Sequence, residues 1–115
     1  MKLFVFVALA LMAQAAAAET VQVWHHGPVP LDTLVCADVN QSSDVSRICY
    51  DKAERFMVIR LKSTYCDYCS IDSGTAQALQ SAGSRRQFFE SRIRGSGSDG
   101  PFDCMTHAIP NKYKR

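Results

Sequence analysis

The sequence has little net charge and no motif that identifies an enzyme. Thirteen Lys and Arg against eleven Asp and Glu leave a formal net charge of +2 over 115 residues. This balance gives no global field that would attract nucleic acid or an anionic membrane. The sequence also lacks the G-x-S-x-G nucleophile elbow and internal repeats. We therefore expect a non-catalytic protein that holds no cofactor and does not bind nucleic acid.

Long hydrophobic runs are also absent, apart from one at the N-terminus. Lys2 precedes an apolar run from Leu3 to Met12, and small residues continue to Ala18. The run is shorter than the roughly 20 residues that a transmembrane helix needs, and the pattern is typical of a secretory signal. We expect a signal peptide at residues 1–18 and an exported chain that begins at Glu19. The periplasm is the first expected location and the extracellular medium the second.

The five cysteines are Cys36, Cys49, Cys66, Cys69 and Cys104, and all of them follow the predicted signal. In an oxidising compartment, such a set predicts a disulfide framework. Each bridge in a small exported domain contributes roughly 2–5 kcal/mol, which is comparable to the stability of the whole domain. An odd number predicts two bridges and one spare thiol. Five choices of spare and three pairings of the rest leave fifteen arrangements open.

Both ends of the predicted mature chain lack a clear period. Residues 19–41 predict an irregular lead-in with one short strand at Val21–Trp24, because Pro28 and Pro30 disfavour regular structure. Residues 95–115 predict a Gly- and Ser-rich loop and a tail that Cys104 ties back to the body. We expect the basic end, residues 112–115, to be frayed.

Three segments between these ends alternate apolar and polar residues. They are Val45–Tyr50, Phe56–Leu61 and Tyr65–Ile71, and short polar connections join them. Alternation with short turns predicts a three-stranded antiparallel meander.

The period then changes to that of a helix. Asp72 or Ser73 can cap a first helix, and Ser84 a second one with Gln87 in the capping-box position. Apolar positions that face inward are Ala76, Leu79, Ala82, Phe89 and Ile93. The predicted fold is therefore α+β, with the meander followed by two short helices packed on one face and stapled by disulfides.

A pattern of spaced hydrophobic, Ser and Tyr positions runs through this region. It comprises Ser42, Ser43, Val45, Ile48, Tyr50, Asp51, Met57, Ile59, Leu61, Tyr65, Tyr68, Ile71, Leu79, Ala82, Ser84, Phe88, Phe89, Ile93 and Arg94. On these residues, positions 42–94 resemble the KTSC domain. The resemblance implies the meander-plus-helices plan and no established enzymatic role. A nucleic-acid association suggested for cytoplasmic members of the family is at odds with export.

The sequence departs from the family pattern at its cysteines. The family usually has a glycine at the position of Cys49 and an aromatic residue at the position of Cys66. The resemblance thus implies that Cys66 is the spare thiol. One bridge would then start from Cys36 and the other from Cys104, each ending at a strand cysteine. Which of them pairs with Cys49 and which with Cys69 stays open.

Two alternatives concern chemistry at particular residues. Cys66 and Cys69 form a C-x-x-C motif, which in a redox enzyme exchanges thiol and disulfide. Here the motif falls late in a predicted strand and not at a helix N-terminus, so a structural role is favoured. The histidines, His25, His26 and His107, lack neighbours at ligand spacing, and we expect no metal site.

The second predicted helix is basic and offers a candidate binding surface of Arg85, Arg86, Arg92 and Arg94. The unpaired edge of the meander is a further candidate, because edge strands accept added strands. The partner is unknown, and a protein or an envelope component is our expectation. We expect the protein itself to be a monomer without a membrane span in its mature part.

Overall fold

The structure, a computed structural model, describes residues 19–39, 44–94 and 100–114. The predicted signal at residues 1–18 lies outside the described residues. The strands are β1 (Thr20–Val23), β2 (Gly27–Pro30), β3 (Val35–Asp38), β4 (Val45–Asp51), β5 (Phe56–Leu61) and β6 (Thr64–Tyr68). The helices are α1 (Ser73–Ser81) and α2 (Arg85–Phe88), which continues as a π-helix (Phe89–Ile93), and a 3-10 turn (Asn111–Tyr113). Within these ranges, no helix has the length and apolar character needed to cross a membrane.

All six strands belong to one mixed sheet in the order β2-β1-β6-β5-β4-β3. Only β1 and β6 run parallel, and they meet at the single pair Val23 and Tyr65. The predicted class, α+β with two short helices, is right, but the predicted three-stranded meander is wrong. The three strands β4, β5 and β6 form a meander in the middle of a sheet that the chain before residue 42 enlarges on both sides.

The error lies in residues 19–41, where prolines were taken to exclude a strand. Pro28 and Pro30 lie in β2, which is the outermost strand on its side of the sheet. An edge strand needs no N–H donors on its outer side, and proline is therefore tolerated there. On the other side, β3 pairs with β4 and places Cys36 opposite Cys49. Its alternation was hidden because Val35 and Asp38 are both exposed.

Residues with positive φ end the central strands. Arg55 at φ 54° and Lys62 at φ 56° lie in the turns after β4 and β5. Ser70 at φ 58° follows β6, which ends at Tyr68 rather than at the predicted Ile71. The left-handed region interrupts an extended strand, and the chain turns there toward α1.

One face of the sheet packs against the two helices, as the sequence predicts. Asp72 caps α1 by accepting a hydrogen bond from the Thr75 amide at 3.0 Å. Ser84 caps α2 by accepting one from the Gln87 amide at 3.2 Å. The buried residues of this helix-side core are Val45, Ile48, Tyr50, Met57, Ile59, Ile71, Ala76, Leu79, Phe89 and Ile93. The Tyr50 hydroxyl is satisfied within it by donating to the Ile71 carbonyl at 2.6 Å.

The sheet curls, because its two edge strands are joined by residues 31–34 alone. Six flat strands would set the edges about 24 Å apart, whereas the link between Pro30 and Val35 spans at most about 18 Å. An ion pair holds the curl, with Arg47 of β4 donating to both carboxylate oxygens of Glu19 at 2.7 and 2.9 Å. The concave side encloses a second, inner core: Val21, Val23, Val29, Leu31, Leu34, Cys49, Phe56, Val58, Cys69, Cys104 and Tyr113.

The tail closes this inner core, and the expectation that its end is frayed is wrong as far as residue 114. The ring of Tyr113 stacks on Phe56 with centroids 4.3 Å apart. Its hydroxyl donates to Asp51 at 2.6 Å, and Lys112 donates to the same carboxylate at 3.1 Å. The tail is therefore fastened to β4 by a buried acid as well as by Cys104.

Asp51 makes the fastening of the tail sensitive to acid. Burial opposes its ionisation, but donation by Tyr113, the Glu54 amide and Lys112 outweighs burial and lowers the pKa of Asp51. A carboxylate whose pKa is lowered on folding stabilises the folded state at pH values above its ordinary pKa. This contribution is lost as the pH falls through the folded-state pKa. Asp51→Asn should reduce the free energy of unfolding at neutral pH by about 1–3 kcal/mol. It should also flatten the loss of stability below pH 3.8.

Urea unfolding at a series of pH values measures both effects. The matched control is Asp32→Asn, which removes an exposed carboxylate and should leave the pH profile unchanged. Identical profiles for Asp51→Asn and the unmodified protein would contradict this role.

Candidate binding cleft

Two disulfides join the four cysteines that the resemblance set aside for bridges. Cys36 is bonded to Cys49 across β3 and β4, and Cys69 is bonded to Cys104. Cys66 is a free thiol and is half-buried. Cys69 follows β6 directly, so the second bridge holds the segment around Cys104 against the end of that strand. Two backbone contacts support it: Tyr68 pairs with Asp103, and the Cys69 amide donates to the Phe102 carbonyl at 2.7 Å.

A cleft of about 710 Å³ lies where this segment meets β6. Its walls come from the β1–β2 turn, from β6 with the preceding Leu61, from the end of the π-helix and from residues 100–109. The volume falls within the range of about 300–1,000 Å³ that is usual for small-molecule sites. The cleft is thus assembled from segments that are far apart in the sequence.

The cleft concentrates exposed apolar side chains. Trp24 is 65% exposed and Met105 is 77% exposed, and both line the opening. Leu61, Tyr68 and Ile109 add further apolar surface. Among the described residues only Val35, at 78%, is another large hydrophobic residue exposed to this degree. Two of these three therefore face the same concavity, which is the usual arrangement of a binding site and not of scattered surface residues.

The acids of the cleft have partners of their own. Asp67 forms an ion pair with the Nδ1 of buried His26, whose Nε2 donates to the Tyr113 carbonyl at 2.8 Å. Asp103 accepts a hydrogen bond from the Met105 amide at 2.8 Å. Arg94 also lines the cleft, yet within the described residues its guanidinium has no hydrogen bond or ion pair. The lining therefore contains one uncompensated cation.

Cys66 lies in the same cleft. Burial raises the pKa of the Cys66 thiol, Asp67 raises it further, and Arg94 opposes both. Redox-active cysteines need the opposite shift, because the thiolate is the reactive form. Its neighbour in the C-x-x-C motif, Cys69, is fully buried in the bridge to Cys104. The two cysteines of the motif are thus not paired with each other.

Gly100 allows the close approach that shapes one wall of the cleft. A Cβ atom at this position would overlap the carbonyl oxygens of Ile93 and Arg94. The backbone of the C-terminal segment therefore lies directly against the end of the π-helix. Arg94 is held in the wall at that contact.

Three of the four arginines of the predicted basic surface contact other groups of the protein. Arg85 donates to the Gln80 carbonyl from two nitrogens, at 2.7 and 3.1 Å. Arg86 pairs with Asp44 at 3.3 Å and with Glu90 at 3.4 Å. Arg92 lies over the ring of Phe88. Of the four arginines, only Arg94 reaches the cleft.

The three histidines lie in different environments. His25 lies on the cleft wall at φ 65°, His26 is buried in the pair with Asp67, and His107 donates to the Pro101 carbonyl at 2.7 Å. The parts of the chain that the structure describes contain no group of three or more His, Cys, Asp and Glu side chains that could hold a metal ion.

Sequence reasoning missed the apolar part of the cleft. Trp24, the single tryptophan of the chain, was assigned only to a short strand, and Met105 was given no role. The place of Met105 could have been predicted from its position next to Cys104, because a bridge from Cys104 to the end of β6 also brings Met105 to that strand.

Comparison with known proteins bears on the central part of this α+β, disulfide-bonded domain. Residues 41–96 match the family model described as the KTSC domain. This match confirms the resemblance to the KTSC domain that the sequence indicates for residues 42–94. Searches of curated proteins and of solved structures found no match. Trp24, His25 and Met105 lie outside the matched region, whereas Cys66 and Arg94 lie inside it.

Cys66 should contribute little to stability, since its thiol forms no bridge. We expect Cys66→Ser to change the free energy of unfolding by less than about 1 kcal/mol. The double variant Cys69→Ser/Cys104→Ser removes a bridge and should cost about 2–5 kcal/mol. Denaturant unfolding of the oxidised proteins measures both. A loss of several kcal/mol in Cys66→Ser would contradict the role of Cys66 as the spare cysteine.

Proposed function

We propose that this protein is an exported, non-catalytic binding module and that it binds its partner in the cleft beside β6. The observation that carries the proposal is that exposed Trp24 and Met105 both line one concavity of about 710 Å³. Exposed apolar side chains in a cleft are unfavourably hydrated, and a bound partner removes them from water. The two disulfides are compatible with an oxidising compartment, and the periplasm is the location we favour.

The raised pKa of Cys66 weighs against the alternative, a thiol–disulfide oxidoreductase. The burial of Cys69 in a bridge to Cys104 weighs against it as well. The other alternative, nucleic-acid binding, is weakened because Arg85 and Arg86 are engaged by groups of the protein itself. The argument for the cleft depends neither on the C-x-x-C motif nor on the family analogy. A binding role accounts for more of the exposed residues than either alternative.

A neutral apolar dye tests the cleft without invoking charge. We expect Nile red to bind the oxidised protein with enhanced fluorescence and to slow the modification of Cys66 by a maleimide. Trp24→Ala should weaken dye binding about tenfold, because one wall of the cleft is lost. Titration monitored by dye fluorescence gives the dissociation constants.

Val35→Ala is the matched control, because Val35 is even more exposed than Trp24 but lies on β3 and does not line the cleft. It should alter dye affinity less than about twofold. Equal losses in the two variants, or dye binding that leaves Cys66 unprotected, would place the apolar binding elsewhere and contradict the proposal.

A further inference from the structure

The electrostatic balance of the cleft restricts what can occupy it. Asp67 is hydrogen-bonded to His26, and Asp103 accepts a hydrogen bond from the Met105 amide in its own turn. Burial and Asp67 keep the Cys66 thiol in its neutral form by raising its pKa. Among the described residues that line the cleft, Arg94 is the charged side chain without a hydrogen bond or ion pair. A ligand that matches Arg94 and the apolar lining carries a negative charge on an apolar body.

Tyr68 supplies a second donor beside Arg94. Tyr68 lines the cleft and packs edge-to-face on Phe89 with centroids 5.5 Å apart. Burial raises the pKa of its hydroxyl, which therefore stays protonated, and Arg94 acts on it through space. Across the described part of the chain, this hydroxyl has no hydrogen-bond partner. The hydroxyl is therefore free to donate to the acceptor of a bound ligand.

We propose that the cleft binds an apolar carboxylate, with the carboxylate held by Arg94 and Tyr68 and the apolar group lying between Trp24 and Met105. The inference rests on the proposed function and adds the chemical class of the ligand. A guanidinium matches a carboxylate through two parallel hydrogen bonds, and the hydroxyl of Tyr68 donates a further one. The same chemistry is offered by a free long-chain acid and by the C-terminal residue of a hydrophobic polypeptide.

Three of the groups involved belong to structural features described above. Arg94 follows the π-helix, and Gly100 packs closely on its backbone carbonyl. Tyr68 ends β6 and pairs with Asp103, next to the bridge between Cys69 and Cys104. Trp24 extends β1, and its amide donates to the Tyr65 carbonyl at 2.9 Å. The backbone that carries each binding group is therefore fixed by contacts within the protein.

The test compares decanoate with decanol on the oxidised protein at about 0.15 M salt, where exposed charges are screened. Trp24 is the only tryptophan, so its fluorescence reports binding directly, and protection of Cys66 from maleimide reports it independently. We expect decanoate to bind about tenfold more tightly than decanol. Arg94→Gln should abolish this preference, and its circular dichroism spectrum shows whether the variant is folded.

Arg92→Gln is the matched control, because Arg92 lies on the same helical segment but does not line the cleft. It should keep the preference for decanoate, while Tyr68→Phe should reduce it about threefold. A second arm compares acetyl-Leu-Phe ending in a carboxylate with its amide. Tighter binding of this acid than of decanoate identifies a polypeptide C-terminus as the source, and the reverse identifies a free acid; both support the inference.

Two results would overturn the inference in distinguishable ways. If decanoate and decanol bind equally, or if Arg94→Gln and Arg92→Gln behave alike, the carboxylate specificity is wrong while the apolar cleft stands. If none of the probes, Nile red included, binds or protects Cys66, the binding function of the cleft is wrong together with its ligand class.

Discussion

The bridge between Cys69 and Cys104 is the constraint on which the candidate site depends. It joins the end of β6 to a segment 35 residues later in the chain, and it adds a covalent link to the backbone contacts of Phe102 and Asp103 and to the contacts of residues 112 and 113. Closing a loop of this length removes about 3–4 kcal/mol of chain entropy from the unfolded state. The same bond brings Met105 into the cleft that Trp24 also lines, so one covalent link both stabilises the domain and forms a wall of the cleft.

The two faces of the sheet have different roles. The helix-side core lies within the residues that match the KTSC domain, and its residues follow the regular periodicity of strands and helices. Most of the inner core comes from residues outside that match, mainly in strands β1 and β2 and in the tail. Phe56 and Val58 contribute to it from inside the match. Tyr113, stacked on Phe56 and bonded to Asp51, shows how closely the added segments are joined to the domain. The cleft lies at the seam between the family domain and these additions.

The central meander, the helix caps and the helix-side core were predictable because each depends on local periodicity or on a capping residue. The strands β2 and β3 were not, because their identity as strands comes from tertiary pairing with β1 and β4. A short strand was predicted near β1, but its pairing with β2 and β6 was not. Pro28 and Pro30 argue against a strand in the centre of a sheet, but proline is tolerated in an edge strand. For the site, the sequence pointed to Arg94 through a basic helix but could not separate it from Arg85, Arg86 and Arg92. That distinction depends on side-chain partners such as Asp44 and Gln80.

The central claim is that a C-terminal segment fixed to β6 by Cys69 and Cys104 forms a cleft around a free Cys66 thiol. A disulfide map of the oxidised protein by peptide mass spectrometry, with free thiols alkylated beforehand, tests it most directly. The account predicts the peptides Cys36–Cys49 and Cys69–Cys104 and alkylation at Cys66 alone. A bridge between Cys66 and Cys69 with alkylated Cys104 would contradict it, because the segment that carries Met105 would then be untethered and the cleft would lose its wall.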